Sequence, residues 1–238
     1  MQFPMIMSVI EGNSEGAIYC DNAQAPQHIF VRNKFGFCQE FFESFSEEFF
    51  QAIVDEIIED RTRTKLRMYM PTEEMKEYLT GKENVTESER IHYIFCTKET
   101  HIKSEIFDGI RILTGGGTIQ EDFGLELWNR YYKNKQDFME NALPIVAYDQ
   151  NNNALGIIYS AAKGERNCEI DILVKEEYRK AGVGKALVSE FINLCKRKGI
   201  IPNWDCYANN KASVNLAKCS GFTPVASYCF YNIGIVLE

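Results

Sequence analysis

The chain has no Cys-x-x-Cys pair, no apolar run near the roughly twenty residues that cross a bilayer, and no surplus of positive charge. Each absence closes a class of function. The three histidines, His28, His92 and His101, include no i, i+4 pair that would set two ligands on one helix face, so no metal site is expected. Eight cysteines, Cys20, Cys38, Cys96, Cys168, Cys195, Cys206, Cys219 and Cys229, are scattered, most of them inside apolar patterns. They read as small core residues in a reducing compartment, without disulfides. A formal charge of −8 argues against broad attraction to nucleic acid or an anionic membrane, although a local basic patch can still hold an anionic ligand. The opening MQFPMIMSVIEGN carries neither a cationic segment nor a cleavage signal, and a cytoplasmic location is expected.

Two nucleotide-binding signatures are missing as well. A P-loop needs a glycine five residues before its Gly-Lys pair and a Ser or Thr after it; Arg179 and Ala186 stand there. A dinucleotide fingerprint needs a third glycine where this chain has Leu187. What is present is Arg179-Lys180-Ala181-Gly182-Val183-Gly184, between an apolar strand, Cys168 to Val174, and an amphipathic helix from about Val183 to Lys198. Glycines let backbone N–H groups approach a ligand closely, and a helix start directs partial positive charge at it. The order predicts an anion site with a phosphate-bearing cofactor as its occupant. Lys180 and Lys185 flank the turn, whereas Lys196, Arg197 and Lys198 read as a solvated helix end.

The flanks give the turn a context. Pro144 to Tyr148 and Leu155 to Tyr159 are short apolar runs around a polar hairpin cluster, and Ala161 to Asn167 forms a second polar turn. Leu187, Val188, Phe191, Ile192 and Cys195 give the helix its buried stripe, and Gly199 stops it. Ile200 to Tyr207 then reads as a strand, Ala212 to Ser220 as a helix, and Phe222 to Ile233 as a closing strand pair. This succession, with Arg179-x-x-Gly182-x-Gly184 and an Asn210-to-Phe222 segment ending in Gly-Phe, resembles the GNAT acetyltransferase superfamily over about half the chain. Trp204-Asp205-Cys206 after Pro202, then Asn210, Ser213, Leu216 and Ala217, is similar to the subfamily that includes zwittermicin A resistance proteins. That subfamily carries an additional amino-terminal region of about the length found here.

The resemblance implies an α/β (α+β) fold with a mixed central sheet flanked by helices, and acetyl-CoA as cofactor. Backbone amides from Arg179, Lys180, Ala181, Gly182, Val183, Gly184 and Lys185 would hold the pyrophosphate. Ile172, Leu173 and Val174 would pair with the pantetheine arm like an added strand. Asn210 and Ser213 begin the last helix, where Asn210 would contact the pantetheine or serve as an N-cap. Strand alternation puts Glu169, Asp171 and Leu173 on one face and Ile170, Ile172 and Val174 on the other. An amine attacks a thioester only when neutral, so it must lose a proton, which a carboxylate acting directly or through water can take. Glu169, ten residues before Arg179, matches the family's general base, with Asp171 second. The tyrosine that protonates the leaving thiolate in many members is replaced by Ala217; Tyr207, Ser213, Cys219 and Tyr228 are conceivable substitutes.

With 238 residues, 45% hydrophobic, the chain can build one large or two small domains. The division expected is 1–103, an α/β region compatible with a degenerate GNAT-like half, and 104–238, the GNAT domain. In the first, Ile6 to Ile10 and Ala17 to Cys20 resemble a hairpin, and His28 to Val31 is extended. Ser44 and Glu47 make a capping box for a helix through Asp60; Leu66 to Met70 and Ile91 to Cys96 suggest strands, Thr72 to Leu79 a short helix, and Gly81 to Glu89 a polar link. Ile110 to Leu113 would open the second domain, with Gly115-Gly116-Gly117 as a loop beside the acceptor. Lacking a second Arg-x-x-Gly-x-Gly turn, the first region is expected to shape the acceptor cleft or a subunit interface, as in a homodimer. The expected activity is acetyl transfer to a primary amine of a small molecule, with no nucleic-acid or membrane partner. The alternative is an acyl-CoA-binding module with little or no catalysis.

Overall fold

The structure, a computed structural model, describes residues 2–42, 44–59, 65–95, 109–114, 123 and 127–235. The chain separates into two compact units, 1–90 with 227–238, and 91–226. The boundary expected near residue 103, the glycines at 115–117 and His101 lie outside the described residues.

The first unit holds helix α1 (Pro4–Ile10), strands β1 (Gly16–Cys20), β2 (His28–Asn33) and β3 (Phe37–Phe42), helix α2 (Glu47–Glu59), β4 (Lys65–Tyr69) and α3 (Glu73–Leu79). It also has the start of β5 (Val85–Phe95) and the end of β11 (Phe222–Gly234). β1, β2 and β3 form an antiparallel meander, α2 crosses to β4, which runs parallel to β3, and β11 pairs antiparallel with β4. The core follows from helical spacing: Phe50, Ile53 and Ile57 of α2 pack on Leu66, Met68 and Met75.

The second unit repeats this succession. Strands β6 (Arg111–Thr114), β7 (Ile145–Tyr148), β8 (Ala154–Lys163) and β9 (Asn167–Val174) are antiparallel neighbours; helix α4 (Lys135–Asn141) precedes β7. Helix α5 (Val183–Lys198) then crosses to β10 (Ile201–Tyr207), parallel to β9, and helix α6 (Lys211–Cys219) follows. The strand order is β5-β10-β9-β8-β7-β6. Leu187, Val188, Phe191, Ile192 and Cys195 of α5, spaced to share one face, bury against Ile145, Ile158, Cys168, Ile170 and Trp204. The opposite face packs Val146, Ile157 and Tyr159 against Trp128 and Phe138. Eleven strands and six helices are thus described, mixing parallel and antiparallel pairs.

Several local expectations are corrected. Pro4–Ile10 is a helix and not a hairpin arm: Pro4 sits in its first turn, where its fixed φ is pre-organised, and Met5, Ile6 and Val9 share the buried side. The α2 cap is Ser46, whose Oγ accepts from the Phe49 amide at 3.3 Å, because the helix begins at Glu47. The polar link 81–89 gives way at Val85 to β5, where Glu87 accepts from the Tyr231 hydroxyl at 2.8 Å. The last strand pair is one strand of 13 residues, since no turn interrupts Phe222–Gly234. β8 extends to Lys163, so the turn expected over 161–167 is confined to 164–166.

The pairing of β8 with β9 slips between Ser160 and Ala162, a bulge that brings Ala162 opposite Glu169. Its displaced backbone groups are satisfied locally: the Ser160 amide donates to the Ala142 carbonyl at 2.7 Å and the Tyr132 hydroxyl donates to the Ser160 carbonyl. Farther along, Gly156 faces Val174 so closely that a Cβ would lie 2.8 Å from the Leu173 carbonyl oxygen and 3.1 Å from Leu187 Cδ1. Gly156→Ala must therefore pry β8 from β9 or displace α5. A loss of about 1–3 kcal/mol is expected in urea unfolding; an unchanged midpoint would contradict the packing.

Candidate active site

Parallel pairing of β9 with β10 is short. It comprises Asn167–Ile201, Cys168–Pro202 and Glu169–Asn203, and no rung follows. Beyond Glu169 the β10-facing edge of Ile170–Val174 has no ladder partner among the described residues, while its other edge pairs with β8 as far as Val174. The bulge in β8 lies at the same level, which ties the divergence to a local increase in strand twist.

At the end of β9 the chain makes a single 3-10 turn, Glu176–Tyr178, and enters α5 through two left-handed residues, Lys180 at φ 64° and Gly182 at φ 84°. Only Gly182 adopts that conformation without a Cβ penalty. Gly182 stands at the N-cap and offers no side chain, the first turn holds no acid, and the first intrahelical bond is donated by Ala186 to the Gly182 carbonyl. Helix geometry leaves the earlier amides pointing out of the helix end. Lys180, Ala181 and Lys185 are exposed and Val183 is buried. Gly184 has a packing role: a Cβ there would lie 3.1 Å from Leu216 Cδ2, so glycine lets α6 approach α5. The Arg179 Nε donates to the Val174 carbonyl at 3.4 Å, folding the turn back onto the strand end.

Alternation along β9 places its carboxylates as follows. Ile170, Ile172 and Val174 join the core beneath α5, whereas Leu173 packs with Tyr159 on the other face. Glu169 is 5% exposed, on the last rung before the strands part. Asp171 is more open but is engaged: the Tyr159 hydroxyl donates to its Oδ2 at 2.6 Å, and Arg130 Nη1 lies 3.8 Å from the same oxygen. Burial, followed by the negative charge of Asp171, pushes the Tyr159 hydroxyl far above its ordinary range, so it acts as a donor only.

Asn210 caps α6, its Oδ1 accepting from the Ser213 amide at 3.1 Å, and the Ser213 hydroxyl accepts from the buried Trp204 indole at 3.0 Å. Both residues thus fix the start of α6 against β10. Ala217 is fully buried in the core, where no hydroxyl is presented.

Sequence reasoning missed one pair. Asp205, two residues beyond Asn203 on β10, has a side chain with no exposed surface, and its Oδ2 lies 3.2 Å from Nδ1 of His92 on β5. The signal was available in part: Asn203 and Asp205 alternate with Trp204 and Cys206, which enter the apolar core. The partner strand, 113 residues away, was not readable from that pattern.

Among the described residues no three His, Cys, Asp or Glu side chains converge as metal ligands, and no helix is long and apolar enough to cross a membrane.

The comparisons agree with this geometry. A family model described as GNAT acetyltransferase matches residues 1–231. The uncharacterized N-acetyltransferase YdfB of Bacillus subtilis (strain 168) is 22% identical over 239 residues, covering 96% of this chain and 90% of the relative. A GCN5-related N-acetyltransferase-like protein from Streptococcus suis 89/1591 superposes with a TM-score of 0.68 at 19% identity, over 93% of this chain and 90% of the other. A GCN5-related N-acetyltransferase from Sphaerobacter thermophilus gives 0.65 at 12% identity, over 97% and 90%. The fold is the GNAT fold, and the chain belongs to the GNAT acetyltransferase family of N-acetyltransferases.

Proposed function

We propose that this chain transfers an acetyl group directly from acetyl-CoA to a primary amine of a small molecule, and that the second unit alone holds the cofactor. The carrying observation is the start of α5: an uncapped, acid-free helix end reached through a left-handed glycine, beside the unpaired edge of β9. The corresponding helix of the first unit does not fit a diphosphate. There Ser46 Oγ already accepts from the Phe49 amide, and Glu47 and Glu48 put negative charge in the first turn. Amides from Arg179 to Lys185 would hold the diphosphate, and the edge of Ile172, Leu173 and Val174 would pair with the pantetheine amides. Asn210 and Ser213 support the cleft through the cap and Trp204.

When bound, acetyl-CoA supplies an activated acetyl group and a thiolate leaving group. The chain's own contribution is to orient the acceptor and handle protons. Glu169, on the last rung before the strands diverge, is the general base in this reading. Asp171 suits that role less, because its Oδ2 is already engaged by the Tyr159 hydroxyl and lies beside Arg130. The sequence match from Pro202 to Phe222 supports placement near the zwittermicin A resistance subfamily. The first unit is then a degenerate GNAT-like half of a cytoplasmic protein.

Burial of Ala217 supports a second reading, an acyl-CoA-binding module with little catalysis. Turnover separates the two. Calorimetry should show CoA binding to the wild type and none to Gly182→Glu, which sets an anion and a strained side chain at the helix start; retained affinity would overturn the cofactor assignment. With acetyl-CoA and a panel of primary amines, including spermidine, kanamycin and amino acids, CoA release is expected for at least one acceptor. Glu169→Gln should lower that kcat about 10²- to 10⁴-fold while CoA affinity persists. Equal turnover in the variant would remove Glu169 as base, and silence of the wild type across the panel would favour the binding module.

A further inference from the structure

Asp171, Arg130 and Tyr159 form a charged group that the proton scheme leaves without a task. Strand pairing sets its position: Tyr159 on β8 lies directly opposite Asp171 on β9, and Asp171 follows Glu169 on the same face, roughly 7 Å farther along the strand. It stands inside the stretch of β9 whose β10-facing edge has no ladder partner among the described residues. The other face of that stretch is covered by α5 through Ile170, Ile172 and Val174, so a second substrate approaches from the Asp171 side. Arg130 reaches Asp171 from a 3-10 turn, Trp128–Arg130, which is held at both ends. Trp128 packs in the core of this face, and the Tyr132 hydroxyl donates to the Ser160 carbonyl.

As a structural ion pair the group contributes little. Arg130 Nη1 lies 3.8 Å from Asp171 Oδ2, beyond hydrogen-bond length, and the Arg130 side chain is 58% exposed, conditions under which a pair adds almost nothing to stability. What is fixed firmly is the carboxylate. The fully buried Tyr159 donates to Oδ2 at 2.6 Å, whereas Oδ1 has no hydrogen-bond partner among the described residues, on a side chain 28% exposed. The Tyr159 hydroxyl also lies beside the guanidinium. The result is an oriented acceptor oxygen next to an exposed planar fork of donors.

Opposite charges side by side suit a ligand that carries both. We infer that the acceptor is an α-amino acid, whose carboxylate takes two N–H groups of Arg130 and whose ammonium donates to Asp171 Oδ1. The inference rests on the acetyl-CoA reading above and narrows its acceptor. An α-amino acid bears its two charges on one carbon, matching the adjacent anion and cation of the site; a polyamine or aminoglycoside would bring only cations to Arg130. The ammonium is thereby held on the face of Glu169, which takes one proton. The nitrogen then bonds to the acetyl carbon as the C–S bond breaks, and its second proton leaves with the thiol.

Calorimetry on the intact protein saturated with CoA tests the assignment, with the common L-amino acids and their carboxamides as probes. At least one amino acid is expected to bind, about 10- to 100-fold more tightly than its carboxamide. Arg130→Gln should keep the CoA affinity of the wild type, which reports that it folds, and should bind that amino acid and its carboxamide alike. Arg130→Lys, which keeps the charge without the fork, should recover part of the preference. With acetyl-CoA, Arg130→Gln should raise KM for the amino acid by the same factor, with little change in kcat or in KM for acetyl-CoA. No amino acid binding to the CoA complex, a carboxamide bound as tightly as its amino acid, or a preference that survives Arg130→Gln would overturn the amino-acid assignment and leave the cofactor reading standing. Absence of CoA binding to the wild type would instead bring down the cofactor reading and this inference with it.

Discussion

Parallel pairing between β9 and β10 stops at the Glu169–Asn203 rung, and the chemistry proposed for the second unit depends on that stop. A strand edge cannot be left unpaired inside a sheet without cost, because each amide and carbonyl gives up a hydrogen bond to water. Here the β8 bulge at Ala161 twists the sheet at the same level, and its freed backbone groups are met by Ala142 and Tyr132. The cost is thereby confined to the edge of Ile170–Val174. An extended ligand with its own amides is the chemical complement of such an edge.

The two units share an order of meander, helix, parallel strand and helix, yet differ where a phosphate would sit. In the second unit a left-handed glycine opens the helix end; in the first, a serine cap and two glutamates close it. The difference is one of side chains on a common backbone plan. Fold alone would offer two helix starts to an anion, and local electrostatics favours one of them.

The sequence made the second unit legible because its signals are local. The apolar stripe of α5, Gly182 before it and Gly199 after it each act within a turn or two, and the helix spans Val183–Lys198 as expected. Glu169 and Asp171 could be set on one face by alternation, but their different surroundings could not be foreseen, since Tyr159 and Arg130 reach Asp171 from other elements. The same limit hid the His92–Asp205 contact, made by residues on strands distant in sequence. Misread elements have local causes. The mostly apolar stretch Met5–Ile10, interrupted at Ser8, fits strand or helix, and Pro4 was the cue for the helix. Phe222 to Ile233, expected as a strand pair, lies in one unbroken strand that accommodates Pro224.

A crystal structure of the protein with CoA bound tests the central claim most directly. The account predicts the diphosphate against the amides that open α5 and the pantetheine arm along the unpaired edge of Ile170–Val174. A diphosphate seated elsewhere, or a β9 edge that stays empty while the cofactor is fully occupied, would contradict it.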